Sequence, residues 1–174
     1  MAIKKKKFID VNLEPLNIKV PILVVDPDNI KGRVVRYDLT KILRGKNCEA
    51  KFRIYTTGDK NAAKIFFFKI QPSFIRKTIG KNISIIEGSF VFNCKDASLR
   101  IKPFLITRRS VHKKVRKVLR ENVKSFIEEA IKDKPAEKIF QDILNSSLQR
   151  NLSRKLKKTY PLAVCEIRSI KIEN

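Results

Sequence analysis

Residues 98–131 read SLRIKPFLITRRSVHKKVRKVLRENVKSFIEEAI, and the period of the chain changes inside this stretch. Up to Thr107, apolar and charged residues alternate. Leu99 and Ile101 face one way and Arg100 and Lys102 the other, the pattern of a strand with one buried side. Pro103 has no N–H to give to a ladder, which predicts an edge strand or the end of pairing there. Beyond Thr107 the apolar residues are Val111, Val115, Val118, Leu119, Val123, Phe126, Ile127, Ala130 and Ile131. Their steps of three and four are those of an amphipathic helix. Ser110 is the candidate N-cap, within a residue or two. The hand-over divides the chain into a β-rich part and a helical part.

Upstream, the strand period dominates. Cys48, Ala50, Phe52 and Ile54 alternate with Glu49, Lys51, Arg53 and Tyr55, and Val35, Tyr37 and Leu39 alternate with Arg36, Asp38 and Thr40. Gly45-Lys46-Asn47 lies between these runs as a turn, so they form a hairpin. Ala63 to Ile70 is a third, Phe-rich strand. Ile83 to Cys94 is a fourth, in which Gly88 marks a bulge or kink. Lys95-Asp96-Ala97 turns it into Ser98 to Thr107.

Downstream, Lys132-Asp133-Lys134 and Pro135 stop the long helix, because the residue before proline is pushed out of the α region. A second helix starting near Pro135 runs through Ile139, Ile143 and Leu144. A third, Ser146 to Lys158, carries Leu148, Leu152 and Leu156 at four-residue steps. Tyr160-Pro161 ends it, and Ala163 to Ile172 returns to strand character. The expected fold is α+β: an antiparallel β-barrel of about six to seven strands, with C-terminal helices packed beside it and a final strand returning to the sheet. The expected organisation is a basic amino-terminal arm over 1–12 and a single domain over 13–174. Within that domain, 13–107 is β-rich, 108–160 helical, and 163–172 the closing strand.

Of the 174 residues, 43% are hydrophobic, enough for one core. Forty Lys and Arg stand against 17 Asp and Glu, a formal net charge of +23. A body so charged repels itself unless a polyanion neutralises it, which points to nucleic acid or an acidic membrane. No apolar run reaches the length of a transmembrane helix. Met1-Ala2-Ile3 and Lys4 to Lys7 are not followed by the apolar region of a secretory signal. Cys48, Cys94 and Cys165 are odd in number and widely spaced, which fits free thiols in a reducing cytoplasm.

Catalytic chemistry finds no constellation. His112, the only histidine, sits amid Arg108, Arg109, Lys113 and Lys114 with no adjacent carboxylate to orient a base. No C-x-x-C spacing suggests a metal site, and the five glycines are scattered, without a phosphate loop. Asp26 and Asp28 around Pro27, ahead of Asn29, are turn chemistry. Glu128 and Glu129 point about 100° apart on a helix. No cofactor is expected.

The informative feature is a row of cations on the long helix: Arg109, Lys113, Arg116, Lys117, Arg120 and Lys124, almost without interleaved acid. A solvated helix face mixes signs and gains i,i+4 pairs, whereas an unmixed row suits a phosphate backbone. Arg150, Arg154, Lys155, Lys157 and Lys158 repeat the theme on the third helix, and Lys4, Lys5, Lys6 and Lys7 on the arm. Phe66, Phe67 and Phe68 offer either a stacking surface for bases or core filling, and core is favoured for at least two of them. Without a ribonucleoprotein signature, recognition by shape and backbone is favoured over single-strand reading. A membrane-surface role is disfavoured, because the apolar side of the helix is needed to close the core.

Several motifs, in order, resemble a known family. Gly32-Arg33-Val34 followed by Asp38-Leu39-Thr40 resembles its GRV…DLT segment, and Thr107-Arg108-Arg109 its strand-to-helix junction. Arg116-Lys117 with Leu119-Arg120-Glu121 resembles its basic helix. Lys157-Lys158-Thr159-Tyr160-Pro161-Leu162 and Glu166-Ile167-Arg168 resemble its ending. The family is the small-subunit ribosomal protein S-one-e (older name S-three-A-e) of archaea and eukaryotes. The resemblance implies a β-barrel with attached helices on the platform of the cytoplasmic small subunit, near the messenger exit. It implies contact with ribosomal RNA and with neighbouring platform proteins; messenger RNA near the exit is a further candidate partner, and without a catalytic constellation no enzymatic activity is expected. Arg33 and Arg108, inside these motifs, complete the candidate RNA-binding set. Phe8 replaces a tryptophan often seen in the family. Ala63 to Lys77, Phe-rich and carrying Pro72, replaces a charged helix. The short chain looks archaeal-type or from a reduced eukaryote. The expected function is a structural constituent of the small subunit. The alternatives are a non-ribosomal RNA-binding factor or RNA chaperone with the same barrel and, disfavoured for want of a catalytic constellation, an RNA-processing enzyme.

Overall fold

The computed structural model describes residues 6–25, 30–43, 45–57 and 60–173. Lys4, Lys5 and the Asp26–Asn29 turn lie outside them. Five strands come first: β1 (Lys7–Glu14), β2 (Ile18–Val24), β3 (Val34–Asp38), β4 (Cys48–Thr57) and β5 (Lys60–Ile70). A short helix, α1 (Pro72–Thr78), precedes β6 (Ile85–Glu87), β7 (Phe90–Asn93) and β8 (Ser98–Thr107). Then come α2 (Lys113–Ile131), α3 (Ala136–Leu144), α4 (Ser147–Leu156) and β9 (Leu162–Glu173).

The expected β3–β4 hairpin forms, with Arg36 opposite Lys51. Its ends explain two of the motifs. Gly32 has φ +83, a conformation that favours glycine. Its N–H donates to the Ile54 carbonyl at 2.9 Å. At the other end the Asp38 carboxylate accepts from the Thr40 N–H at 2.8 Å and from the Thr40 hydroxyl. These bonds hold the Asp38 carboxyl below its ordinary value. Leu39, between them, is fully buried. The motif residues Gly32, Asp38, Leu39 and Thr40 therefore shape turns.

A closed barrel is not what forms. Among the described residues nine strands make one sheet, and its path β2-β1-β5-β9-β8-β6 does not return on itself. It branches instead, because two long strands change partners along one edge. β5 pairs with β4 on one side; on the other it meets β1 through residues 62–64 and β9 through residues 67–69. The β1–β5 ladder is parallel, so the sheet is mixed rather than antiparallel throughout. Nor is the segment before residue 13 only an arm: β1 begins at Lys7 and pairs with β2 over its length.

β8 branches in the same way, and this corrects the reading of Pro103. The strand runs on to Thr107 and pairs with β9 along one edge. On the other edge β7 faces residues 98–101 and β6 faces residues 104–106. Pro103 falls in the gap between those partners, and the β9 register shifts between Lys102 and Pro103. The missing N–H therefore costs no ladder bond, and a proline sits inside an interior strand. Gly88 marks the same gap, splitting the expected Ile83–Cys94 strand into β6 and β7. A Cβ there would lie 2.5 Å from the Phe90 ring.

The helices follow their periods. Leu119, Val123, Ile127 and Ile131 of α2 are buried, as are Leu148, Leu152 and Leu156 of α4. Val118, read as apolar face, is 44% exposed. α2 packs on β6, β7 and α4, and α4 packs on β9. In the Phe-rich segment that carries Pro72, β5 ends at Ile70 and Pro72 opens α1 in its first turn, where the absent N–H has no helical partner to lose. The closing strand returns as expected, lying between β8 and β5.

Burial pushes the Cys48 thiol up to about 12, and burial followed by the Glu166 charge does the same for Cys165. All three thiols are free. At pH 8 roughly 10⁻⁴ of either shifted thiol is thiolate, the reactive form. Thiol labelling of Cys48 and Cys165 is expected to be slow in the native protein and fast in denaturant. Native rates at these two thiols equal to those in denaturant would contradict this.

Candidate nucleic-acid interface

The strand-to-helix junction is built by two buried hydroxyls. Thr107 accepts the Ser84 N–H at 3.0 Å and donates to the Arg109 carbonyl at 2.7 Å. The Ser84 hydroxyl accepts the Val111 N–H at 3.0 Å. Thr107 is fully buried and Ser84 is 7% exposed. Together they hold residues 108–112 as a tight connection, so the helix starts at Lys113, with His112 at the N-cap in place of Ser110. Arg109 therefore precedes the helix. Replacing Thr107 by Val keeps the shape and orphans the Ser84 N–H. The expected loss is about 1–3 kcal/mol of stability, read by denaturant unfolding, with Thr107→Ser close to the parent.

Arg109, Lys113, Arg116, Lys117, Arg120 and Lys124 are all exposed. The first turn of α2 contains no acid, and His112 makes no side-chain cap bond. Cations at a helix N-terminus oppose its dipole. A phosphate there would reverse that penalty and accept the free N–H groups. Arg120 has a second duty, because its guanidinium donates to the Glu87 carbonyl at 2.7 Å and ties α2 to β6. Lys117 lies 4.0 Å from Glu121, both well exposed, a pair of little energetic weight.

The chain end of α4 joins this corner. The Arg108 N–H donates to the Pro161 carbonyl at 3.4 Å, and Thr107 pairs with Leu162. The Asn122 amide donates to the Thr159 hydroxyl at 3.1 Å. The backbone of Thr107-Arg108-Arg109 thus runs beside Tyr160-Pro161-Leu162, a few residues after Lys157 and Lys158. Arg154, Lys157 and Lys158 are exposed, with no ion pair among the described residues.

Other candidates have different places. Lys155 bridges to Glu129 at 3.0 Å and lies over the Phe126 ring, joining α4 to α2. Arg150 donates to the Asn145 carbonyl at 2.6 Å and so caps α3. Arg33 is exposed just before β3, at the opposite side of the sheet order from β6 and β7, where α2 packs. Lys6 is exposed, and Lys7 opens β1. The last motif is structural: Glu166 pairs with Lys46 at 2.5 Å, Ile167 is fully buried, and Arg168 pairs with Glu87 at 3.1 Å.

The aromatics divide differently from the expected two or more in the core. Ile65 and Phe68 are both buried, three residues apart, because β4 and β5 shift register between Lys51 and Phe52. The bulge leaves both Phe66 and Phe67 half-exposed, so one of the three phenylalanines fills the core rather than two. The only forewarning was three consecutive phenylalanines in a strand whose period buries alternate residues.

Among the described residues no group of three or more His, Cys, Asp or Glu is placed to hold a metal, and no helix is long and apolar enough to cross a membrane. No curated protein matches the chain. A family model, the Ribosomal S3Ae family, matches residues 2–174. The chain belongs to that family.

Proposed function

We propose that the chain binds and positions ribosomal RNA on the platform of the small subunit, near the messenger exit, beside neighbouring platform proteins and the emerging messenger. Family membership implies a ribosomal small-subunit protein in the cytoplasm, with ribosomal RNA and ribosomal proteins as partners. The family is one of structural ribosomal proteins, so the work is assembly rather than catalysis.

The observation that carries the RNA reading is the exposed cation row of α2, running from an N-terminus without acids. Each phosphate that a cation neutralises releases a condensed counterion, and that release drives binding without base contacts. The buried side of the helix fixes the row against the sheet, so folded RNA meets a rigid edge. The Arg108–Arg109 junction and the Lys157–Lys158 turn extend the contact around the corner.

Sedimentation tests the reading. The tagged chain is expected to travel with small subunits at one copy each and to stay there in high salt. A chain that leaves the particle at moderate salt while still binding free RNA would instead be a non-ribosomal factor.

A further inference from the structure

The bulge at Phe66 opens a second surface on the outer side of the sheet. Cross-strand register sets Arg36 beside Lys51, Lys51 beside Phe67, Phe67 beside Lys171 and Lys171 beside Arg100. This is one straight row across β3, β4, β5, β9 and β8. The Arg53 guanidinium lies 5.1 Å from the centre of the Phe66 ring, and the Lys51 ammonium 5.1 Å from that of Phe67. Two grooves meet at Phe66 and Lys171. One, of about 670 Å³, is also lined by Arg53, Tyr55 and Lys64; the other, of about 570 Å³, by Arg36, Lys51 and Phe67.

The charge on this face is unbalanced. Its acids include Glu14, Asp38, Glu49 and Glu173, and Glu14 accepts the Tyr55 hydroxyl at 2.5 Å beside Lys64. Glu173 is held by Arg100 at 2.5 Å, and Glu49 accepts the Gln71 amide at 3.0 Å and lies 4.0 Å from the exposed Arg36. Lys51, Arg53, Lys64 and Lys171 make no ion pair among the described residues. A cation row alone follows phosphates. Flat apolar rings set within such a row also accept bases, and the guanidinium plane over Phe66 can stack a base as well. Lys51 and Lys171 flank Phe67 two strand spacings apart, about 9–10 Å, which leaves room for a base between two phosphate contacts. A duplex hides its base faces, so the complementary partner is unpaired RNA.

We propose that the outer sheet face is a second RNA site, which takes single-stranded RNA by stacking unpaired bases on Phe66 and Phe67 while Arg36, Lys51 and Lys171 hold its phosphates. The proposal rests on the RNA-binding reading above, but assigns a different surface and a different RNA form from those of α2.

The test uses the full chain, with anisotropy of a labelled oligouridylate of about 12 nucleotides, within the usual site size, and of a blunt RNA duplex. Phe66→Ala with Phe67→Ala is expected to weaken single-strand binding tenfold or more, at about 1–3 kcal/mol per stacked base, and duplex binding by less than about twofold. Arg116→Glu with Lys117→Glu should do the reverse. Arg36→Glu with Lys171→Glu, at exposed positions, decides the matter if the phenylalanine variant melts early, and should also lose single-strand affinity. Unchanged oligouridylate binding in a folded variant overturns the proposal. So does a variant that keeps oligouridylate affinity yet no longer joins small subunits, since the face then docks protein. Failure of the unmodified chain to sediment with small subunits would sink the ribosomal reading and leave this site standing.

Discussion

Raising salt from about 50 to 200 mM is expected to lower the affinity of this chain for small-subunit RNA on the order of a thousandfold, as six or more phosphate contacts require. The net charge of +23 and the exposed row on α2 set this scale. Each contact contributes a slope of roughly −0.7 to −0.9 in log K against log salt. Reversing Arg116, Lys117 and Lys124 to Glu should flatten the slope by about two to three units and block incorporation into the subunit. Arg120 is left intact because it bonds the Glu87 carbonyl. Melting should barely move, since exposed substitutions typically change stability by about half a kcal/mol each. A triple variant that melts far lower yet assembles normally would make the row a structural network. A flat salt response in the parent would remove the electrostatic mechanism altogether.

The second large effect lies on the other side of the same helix. Leu119→Ala or Ile127→Ala is expected to cost about 2–5 kcal/mol, through lost burial and the cavity left behind. Both side chains are fully buried where α2 meets the sheet and α4. The measurement is denaturant unfolding paired with RNA binding. Below the unfolding transition the affinity should stay within about twofold of the parent, the exposed cations of α2 being untouched. A binding defect in a fully folded Leu119→Ala protein would mean that the helix reads RNA through its placement on the sheet.

Strands and helices were legible where burial is one-sided. Phe52 and Ile54 in β4, and Leu99 and Ile101 in β8, alternate with charge because one face is core. Leu148, Leu152 and Leu156 recur because α4 has one partner side. β1 was hidden although Ile9, Val11 and Leu13 alternate with Asp10, Asn12 and Glu14, because the lysine run before it reads as a solvated arm. Closure was not legible at all. It depends on which ladders share an edge, and nothing in the composition of β5 or β8 says that each changes partner halfway. Pro103 misled for the same reason: its cost depends on a gap between β6 and β7 that only the folded sheet creates.

The candidate site divides the same way. Charge spacing found the α2 row, since exposed cations need no partner to be recognised. It could not separate free cations from those spent on the fold, such as Lys155 beside Glu129 or Arg120 on the Glu87 carbonyl. The outer sheet face was missed because it depends on a single bulged residue.

The place of β9 bears on how the chain is made. It is last in order among the described elements, yet it fills the slot between β8 and part of β5. Until it is synthesised, two strand edges stay open, and the partners that fill one of them lie about a hundred residues apart in sequence. Such long-range pairing is slow, and open edges invite pairing with other chains. Until β9 emerges, the nascent protein is therefore an incomplete sheet carrying a large positive charge. The twelve residues of β9 act as a latch, and a ribosome stalled a little before them would release a sticky, basic fragment instead of a building block.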